Sequence, residues 1–546
     1  MIRFASLLLF AGTTLAACNS SENQTTTTDT TALNSITEEG FLNAVKTLSS
    51  DEFMGRMPFT EGETKTINYL KEQFESIGLE PGNGDSFFQE VPLVEITSTP
   101  AQQVIFEGKN GKMTLSLLDD FVIGSRHVKD NISVKDSEMI FAGFGIVAPE
   151  YDWNDYEGLD VKGKTVVVMV NDPGYYDKSL FKGETMTYYG RWTYKFEEAA
   201  RQGAAGVLII HDTGAASYGW NVVRSGWSGP QMALVSDDNG ASLADFEGWI
   251  TAEVAREMFE LAGVDTSVLA KAQKTGFKAV NLDLKTGTTI KNAIKKSTSN
   301  NVMAKLVGSK RPDEVIIYAG HWDHLGVGEV LDGDSIYNGA IDNATGIAAI
   351  LEIAKAFKNA EVPPERTILF VGLTAEEQGL LGSEYYATHP VFPLAKTIAN
   401  INIDAMGAVG ATKDFTVLGY GQSELDSYME EAVEGQNRVI APDPNPSAGS
   451  FFRSDHFNFA KVGVPAIYAG GGVDYLDQSE EVQAKRNRFK GRYHTQKDEY
   501  DASYWQIEGI MNDVKIFFQI GHKLSMESSF PKWKEGSEFK EAGEKR

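Results

Sequence analysis

The sequence predicts an α/β protein with a mostly parallel central sheet covered by helices on both faces, interrupted by an inserted, β-rich α/β domain. Three observations predict it. Between about Ser297 and Leu524, continuous apolar runs alternate with helical periodicity, the pattern of strands buried on both faces. Between about Asp120 and Lys291 the texture changes to short strands separated by Gly- and Tyr-rich loops. A length of 546 residues also exceeds one ordinary core, so two or more domains are expected.

The chain opens MIRFASLLLFAGTTLAAC. Arg3 precedes an apolar run, Phe4 to Ala11, too short to span a bilayer as a stable helix. The segment ends Leu15-Ala16-Ala17-Cys18, and Cys18 is the single cysteine of the sequence. It resembles a bacterial lipoprotein signal. That implies lipidation at Cys18 and a place in the cell envelope, lipid-anchored and facing the periplasm or exterior. An ordinary secretory leader is the other reading. One cysteine excludes an intrachain disulfide and a Cys-based zinc site. The polar, low-complexity stretch that follows, NSSENQTTTTDTT, is expected to be a flexible tether.

In EGETKTINYLKEQFESIGLEP, Ile67, Leu70, Phe74 and Ile77 fall at helical spacing, and Gly78 marks the stop. KTVVVMVND and GVLIIHD read as strands of the insert, joined through the helix of YKFEEAARQGAAG; His127 and His211 there stand alone and read as structural. DEVIIYAGHWDH, RTILFVGLT, LAKTIANINID and VGVPAIYAGG are strands of the larger domain. Its helix NATGIAAILEIAKAFKNA carries Ile347, Ile350, Leu351, Ala354 and Phe357 along one face. The chain thus divides into a signal segment (1–18), a tether (19–35), the first part of the larger domain (36–119), the insert (120–291), the second part of the larger domain (292–525) and a charged, solvated tail (526–546). The net charge of −26 argues against nucleic acid or an anionic membrane surface as the main partner.

The chemistry collects where strands of the larger domain end. GHWDHLG brings His321, Asp323 and His324; NGAIDNATG brings Asp342; TAEEQGLLGS brings Glu376 and Glu377; NIDAMG brings Asp404; and RYHTQKDEY brings His494 and Asp498. Parallel sheets bind ligands beyond their carboxyl edge, and His with carboxylates suits zinc-like ions. Each residue alone has a plainer reading, such as a helix cap for Asp342. Their recurrence at successive strand ends points to a metal site.

These motifs, in this order, resemble the di-zinc aminopeptidases of the M28 family. The resemblance implies two zinc ions per chain, bridged by Asp342. His321 and Asp404 would complete one ion's protein ligands, Glu377 and His494 the other's, and Glu376 would remain unligated as general base. It also implies that the insert, on QGAAGVLII and its placement, is a protease-associated (PA) domain, and that SFFRSDHFNFAKVGVPAI lines the substrate side. Asp455 and His456 are then expected in the site wall, and Arg453 reads either as a contact for a substrate carboxylate or carbonyl or as half of an ion pair. Some relatives place a tyrosine where this sequence has Phe451 and Phe452, which leaves His456 and Tyr468 as oxyanion candidates. Asp323 is expected to accept the second N–H of His321. Glu376 and Asp404 are the suggested anchors for a substrate α-ammonium, Trp322 reads as pocket wall or packed core, and His324 has no assigned role.

The expected function is a metal-dependent exopeptidase that removes N-terminal residues from peptides with a free N-terminus. A carboxypeptidase or other amide hydrolase on the same scaffold, and a non-catalytic peptide-binding protein, are the alternatives. A glutaminyl cyclase-like activity is disfavoured by the complete metal set and the insert.

Overall fold

The structure, a computed structural model, describes residues 29–546; the signal segment, with Cys18, lies outside them. Order begins earlier than composition predicts. Asp29 caps the short helix α1 (Thr30–Asn34), accepting from the Ala32 N–H at 2.9 Å, and accepts from the Glu361 N–H at 2.8 Å. Ala32 and Ile36 are buried, so residues 29–35, read from sequence as tether, are docked on the larger domain. Helix α2 (Glu38–Leu48) follows, and α3 (Glu61–Ile77) ends at Gly78, whose φ of 81° suits a residue without Cβ.

Strand β1 (Phe88–Pro100) leads into the insert. There β2 (Asn131–Phe141), β3 (Thr165–Met169), β4 (Gly206–Ile210) and β5 (Phe246–Ile250) run parallel, with α4 (Trp192–Arg201) between β3 and β4. Two apolar layers enclose this sheet, one including Phe106, Phe141 and Phe259, the other Val166, Phe196 and Trp249. Residues 103–116, assigned from sequence to the larger domain, form a hairpin whose Val104, Phe106 and Leu115 sit in the first of these layers. The alternating strand pattern runs across that junction unchanged, so composition does not mark it.

The chain returns through β6 (Val280–Leu306), a 27-residue strand. Its first part pairs with β2, its middle with β1 from Ile290↔Pro100 to Val302↔Phe88, and its last residues with the larger domain. The two units therefore share a continuous sheet.

The larger sheet has at its centre β7 (Arg311–His321), β8 (Arg366–Leu373), β9 (Thr397–Asn402) and β11 (Ala466–Gly471), all parallel, in the order β8-β7-β9-β11. The end of β6 and strand β10 (Asp414–Leu418) flank them antiparallel. Helix α5 (Thr345–Lys358) crosses one face. Its predicted apolar face is buried, and so are Ala348, Ala349, Ile353 and Ala356, because α2 and α6 (Glu508–Met526) pack over its other sides.

The last twenty residues are not a solvated tail. Trp533 and Phe539 are buried with Phe451, Phe452 and Phe457 and with Met186 of the insert, and Trp533 Nε1 donates to the Gly463 carbonyl at 3.1 Å. Lys182 of the insert pairs with Glu538 at 2.6 Å. Two aromatics anchor a segment whose charges stay outside. Trp533→Ala should cost about 3–5 kcal/mol, the usual range for emptying a large aromatic from a core, read as a lower denaturant midpoint.

Candidate metal centre

The parallel strands set their carboxyl ends along one edge, which makes neighbours of residues far apart in sequence. β7 ends on His321, Glu376 and Glu377 follow β8, Asp404 follows β9, Asp342 precedes α5, and His494 lies in the loop before α6. Ala375 and Ala405 hold left-handed backbone, each with φ 52°. Such turns cost a Cβ-bearing residue about 1–2 kcal/mol, and here each sits beside an acid of the centre.

Asp342 is at the middle. Its Oδ1 lies 3.2 Å from His321 Nε2 and its Oδ2 3.3 Å from His494 Nε2. Asp404 Oδ1 is 3.2 Å from His321 Nε2, and Glu377 Oε2 is 3.0 Å from His494 Nε2. Two groups of three donors are close enough to hold an ion each: His321, Asp342 and Asp404; and His324, Asp342 and Glu377. The adjacent glutamates diverge, since Glu377 meets His494 and His324 whereas Glu376 Oε2 stands 4.0 Å from His321 Nε2. Among the described residues no side chain donates to the Glu376 carboxylate.

Asp323 supports His321 by a different atom from the expected one. His321 Nδ1–H donates to the Asp323 backbone carbonyl at 3.1 Å, which turns Nε2 toward the acids. The Asp323 carboxylate instead accepts the Glu376 N–H at 3.1 Å, because it lies 3.8 Å from the ring nitrogen. One residue thus holds both His321 and Glu376. Asp498 accepts from the N–H groups of Ile341 and Asp342 at 3.0 Å, and Asn343 Oδ1 accepts from Ala405 N–H at 3.1 Å. Arg56, wholly buried, donates to the carbonyls of Leu48, Trp322, Asn338 and Gly339 at 2.6–2.8 Å, lacing the β7 loop to the Asp342 loop.

The charges decide what the centre can hold. Burial opposes ionisation of every group, yet the cluster overrides it at the histidines. Burial pulls His494 down, but Asp342 and Glu377 outweigh it and push its pKa up to about 10. His321 is pushed well above its ordinary value by Glu376, Asp404 and Asp342 against the same opposing burial. Glu377 falls to about 2 despite burial, through His324 and His494. Burial, then Asp404, Glu377 and Asp455, raise Glu376. In the chain alone, protons on the imidazoles supply the positive charge that these buried acids demand. A divalent cation among the same nitrogen and oxygen donors would supply it instead, and this donor set suits zinc-like ions.

The remaining sequence candidates are placed differently. Asp455 and His456 are wholly buried, so they stand behind the wall rather than on it. Burial raises Asp455 to about 7 and lowers His456 to about 3. The His456 ring packs between Phe451 and Tyr468, at 4.6 and 4.8 Å. Arg453 is exposed, donating to the Ala448 carbonyl at 2.8 Å and to Ser217 Oγ of the insert at 3.2 Å. No carboxylate pairs with it among the described residues. Trp322 is core, its Nε1 donating to the Asn300 carbonyl at 3.0 Å. His127 and His211 stay in the insert, each within 3.1 Å of a backbone carbonyl. Sequence reasoning missed Arg56, which carries no local signal. It also missed Ser454 and Tyr493, whose signal is their place within the SFFRSDHF and RYHTQKDEY motifs. Ser454 Oγ donates to Asp404 Oδ2, and the Tyr493 ring stacks on His494 at 3.8 Å.

Residues 301–518 match peptidase family M28. The chain carries an M28 domain. A probable zinc metalloprotease of Pyrenophora tritici-repentis is 27% identical over 231 residues, 36% of this chain and 46% of that protein. Carboxypeptidase Q of Xenopus laevis is 28% identical over 276 residues, 50% of this chain and 48% of that protein. The chain spans about half the length of these curated relatives. The aminopeptidase from Aneurinibacillus sp. strain AM-1 superposes with a TM-score of 0.48 at 18% identity, covering 92% of this chain and 97% of that one. The matched segment contains all six residues for which the resemblance implies metal binding or base catalysis.

Two outcomes follow. Arg56→Lys keeps the charge but not the fork, stranding buried carbonyls at about 1–3 kcal/mol each; a lowered thermal midpoint together with weaker divalent-cation binding by chelator competition is expected. In chelator-treated protein, the raised His494 contributes stability that is complete below its unfolded value near 6.5 and is lost as pH rises through about 10. The melting midpoint should fall across that window, and a bound divalent cation should remove the fall by taking the protons' place.

Proposed function

We propose that the protein is a metal-dependent exopeptidase that removes N-terminal residues from peptides. The observation that carries the reading is the divergence of the paired acids after β8: Glu377 is committed to the histidines, while the Glu376 carboxylate accepts no side-chain hydrogen bond among the described residues and stands 4.0 Å from His321 at the same centre. On this reading Asp342 would be shared between two zinc ions, His321 and Asp404 would hold one of them, and Glu377 and His494 the other. When bound, the ions supply Lewis acidity that acidifies a water and polarises the peptide carbonyl.

The chain's own residues do the rest. Glu376 takes the proton of the attacking water and hands it to the leaving amine nitrogen, a transfer typically worth about 10²–10⁴ in rate. Asp323 holds the Glu376 backbone, so the base stays aimed while the proton moves. Burial and the acids of the centre push the Tyr468 phenol well above its ordinary value; on this reading it stays protonated and offers an O–H donor for the developing oxyanion. Glu376 and Asp404 attract a substrate α-ammonium. The lipoprotein motif at Cys18 supports a lipid-anchored place in the cell envelope, where the substrates would be peptides outside the cytoplasm.

A second reading, cleavage from the carboxyl end, is favoured by the carboxypeptidase Q relative and by exposed Arg453, which no acid neutralises among the described residues. Aminoacyl-anilides, N-blocked peptides and C-blocked peptides separate the two. The proposal expects cleavage of anilides and C-blocked peptides but not of N-blocked ones, and the reverse pattern overturns it. Glu376→Ala should lower kcat by about 10²–10⁴ with metal content unchanged; activity surviving that change would remove Glu376 as base.

A further inference from the structure

The three carboxylates proposed as ligands, Asp342, Asp404 and Glu377, spend their oxygens unequally. Asp342 turns one oxygen to each histidine. Asp404 turns Oδ1 to His321 and gives Oδ2 to the Ser454 hydroxyl. Glu377 turns Oε2 to His494 at 3.0 Å and gives Oε1 to His324 Nδ1 at 2.6 Å. A carboxylate oxygen accepts only, so His324 Nδ1 carries the hydrogen.

His324 is built into this place. It is wholly buried, and its Nε2 has no partner among the described residues. Its Cδ2 lies 2.6 Å from where a Cβ on residue 339 would stand, so the ring fits only because Gly339 has none. The same Gly339 carbonyl accepts from Arg56 at 2.8 Å, and Gly339 itself holds φ 56°. A ring clamped on its edge, with one nitrogen to Glu377, has little freedom to turn.

We infer that His324, though close enough to share an ion with Asp342 and Glu377, is a positioning residue and not a ligand: its Nδ1 carries the hydrogen that holds Glu377 Oε1 at 2.6 Å, so that Glu377 offers a single oxygen, Oε2, to the cation it shares with His494 and Asp342. Ser454 does the same for Asp404 on the other side. The two terminal carboxylates are thus tied back by unlike donors, an imidazole and a hydroxyl, and the two cation positions can be tuned one at a time. Outer partners of this kind are typically worth about 10–100-fold in metal affinity. The inference rests on the two-ion reading of the centre.

The test measures ions, not turnover. Zinc is titrated into metal-stripped full-length protein against a chelator of known affinity, and cobalt spectra report each position's geometry. The variants are His324→Leu, which removes the donor at similar bulk, His324→Asn, whose amide nitrogen replaces Nδ1, and Ser454→Ala. Two ions per native chain are expected. His324→Leu should weaken one of them about 10–100-fold and alter one cobalt band set, His324→Asn should restore most of that loss, and Ser454→Ala should weaken the other ion. A native chain that takes up fewer than two ions overturns the two-ion reading. A native chain that takes up two, with His324→Leu holding both as tightly, overturns the role of His324. So does equal weakening of both ions by His324→Leu that His324→Asn fails to reverse, since that is the mark of a general packing defect or of a direct ligand.

Discussion

Everything at the centre depends on the shortage of positive charge around Asp342. Asp342, Glu376, Glu377 and Asp404 are drawn together at the end of one sheet, mostly out of water, where unpaired carboxylates are costly. The imidazoles of His321 and His494 answer part of that demand, and each is pushed upward for it. The fold answers the rest by fixing distances. Arg56, Asp498 and Asn343 tie the loops that carry the acids to one another through backbone groups. These ties spend no charge on the acids themselves, so the acids keep their oxygens for whatever cation arrives.

The same logic explains which parts of the fold can be read in a sequence. Strands buried on both faces are mostly apolar, so β7 and β8 announce themselves by their continuous runs, and α3 shows its period and its terminal Gly78. Boundaries are a different matter. The hairpin at 103–116 alternates like any half-buried strand, and nothing in it tells which core receives Phe106. The short helix after Asp29 and the segment around Trp533 look polar because most of their residues are; a few buried contacts decide their place. For α5, periodicity shows the first face to be covered and says nothing of the helices laid over the others.

At the centre, the residues that converge were legible because metal chemistry allows few types and the strand ends mark the places. What holds those residues was less so. A carbonyl can support a histidine as well as a carboxylate does, and only coordinates tell that Asp323 uses its backbone for His321 and its side chain for Glu376. Arg56 lies more than two hundred residues from the loops it joins, in a stretch with no motif of its own. His324 and Ser454 lie within the sequence motifs themselves, yet their meaning lies in which oxygen each one takes.

The wall of the site follows from the same constraint carried outward. Ser454 can hold Asp404 only if the segment Ser450–Phe459 keeps its position, and that segment is built only of a single 3-10 turn (Ser450–Phe452) and the start of a six-residue helix (His456–Lys461). Its aromatics rest on Trp533 and Phe539 of the C-terminal segment and on Met186 and Tyr188 of the insert; the Tyr188 ring lies 5.1 Å from Phe457. Lys461 pairs with Glu197 of α4 at 3.0 Å, and Arg453 reaches Ser217. The insert therefore lies against the back of the wall that carries Ser454, besides sharing β6 with the sheet that carries the acids and histidines of the centre. Displacing it would shift an acid of the centre through two contacts, from the aromatic cluster to Ser454 and from Ser454 to Asp404. That short path gives an otherwise remote domain a physical stake in the geometry around Asp342.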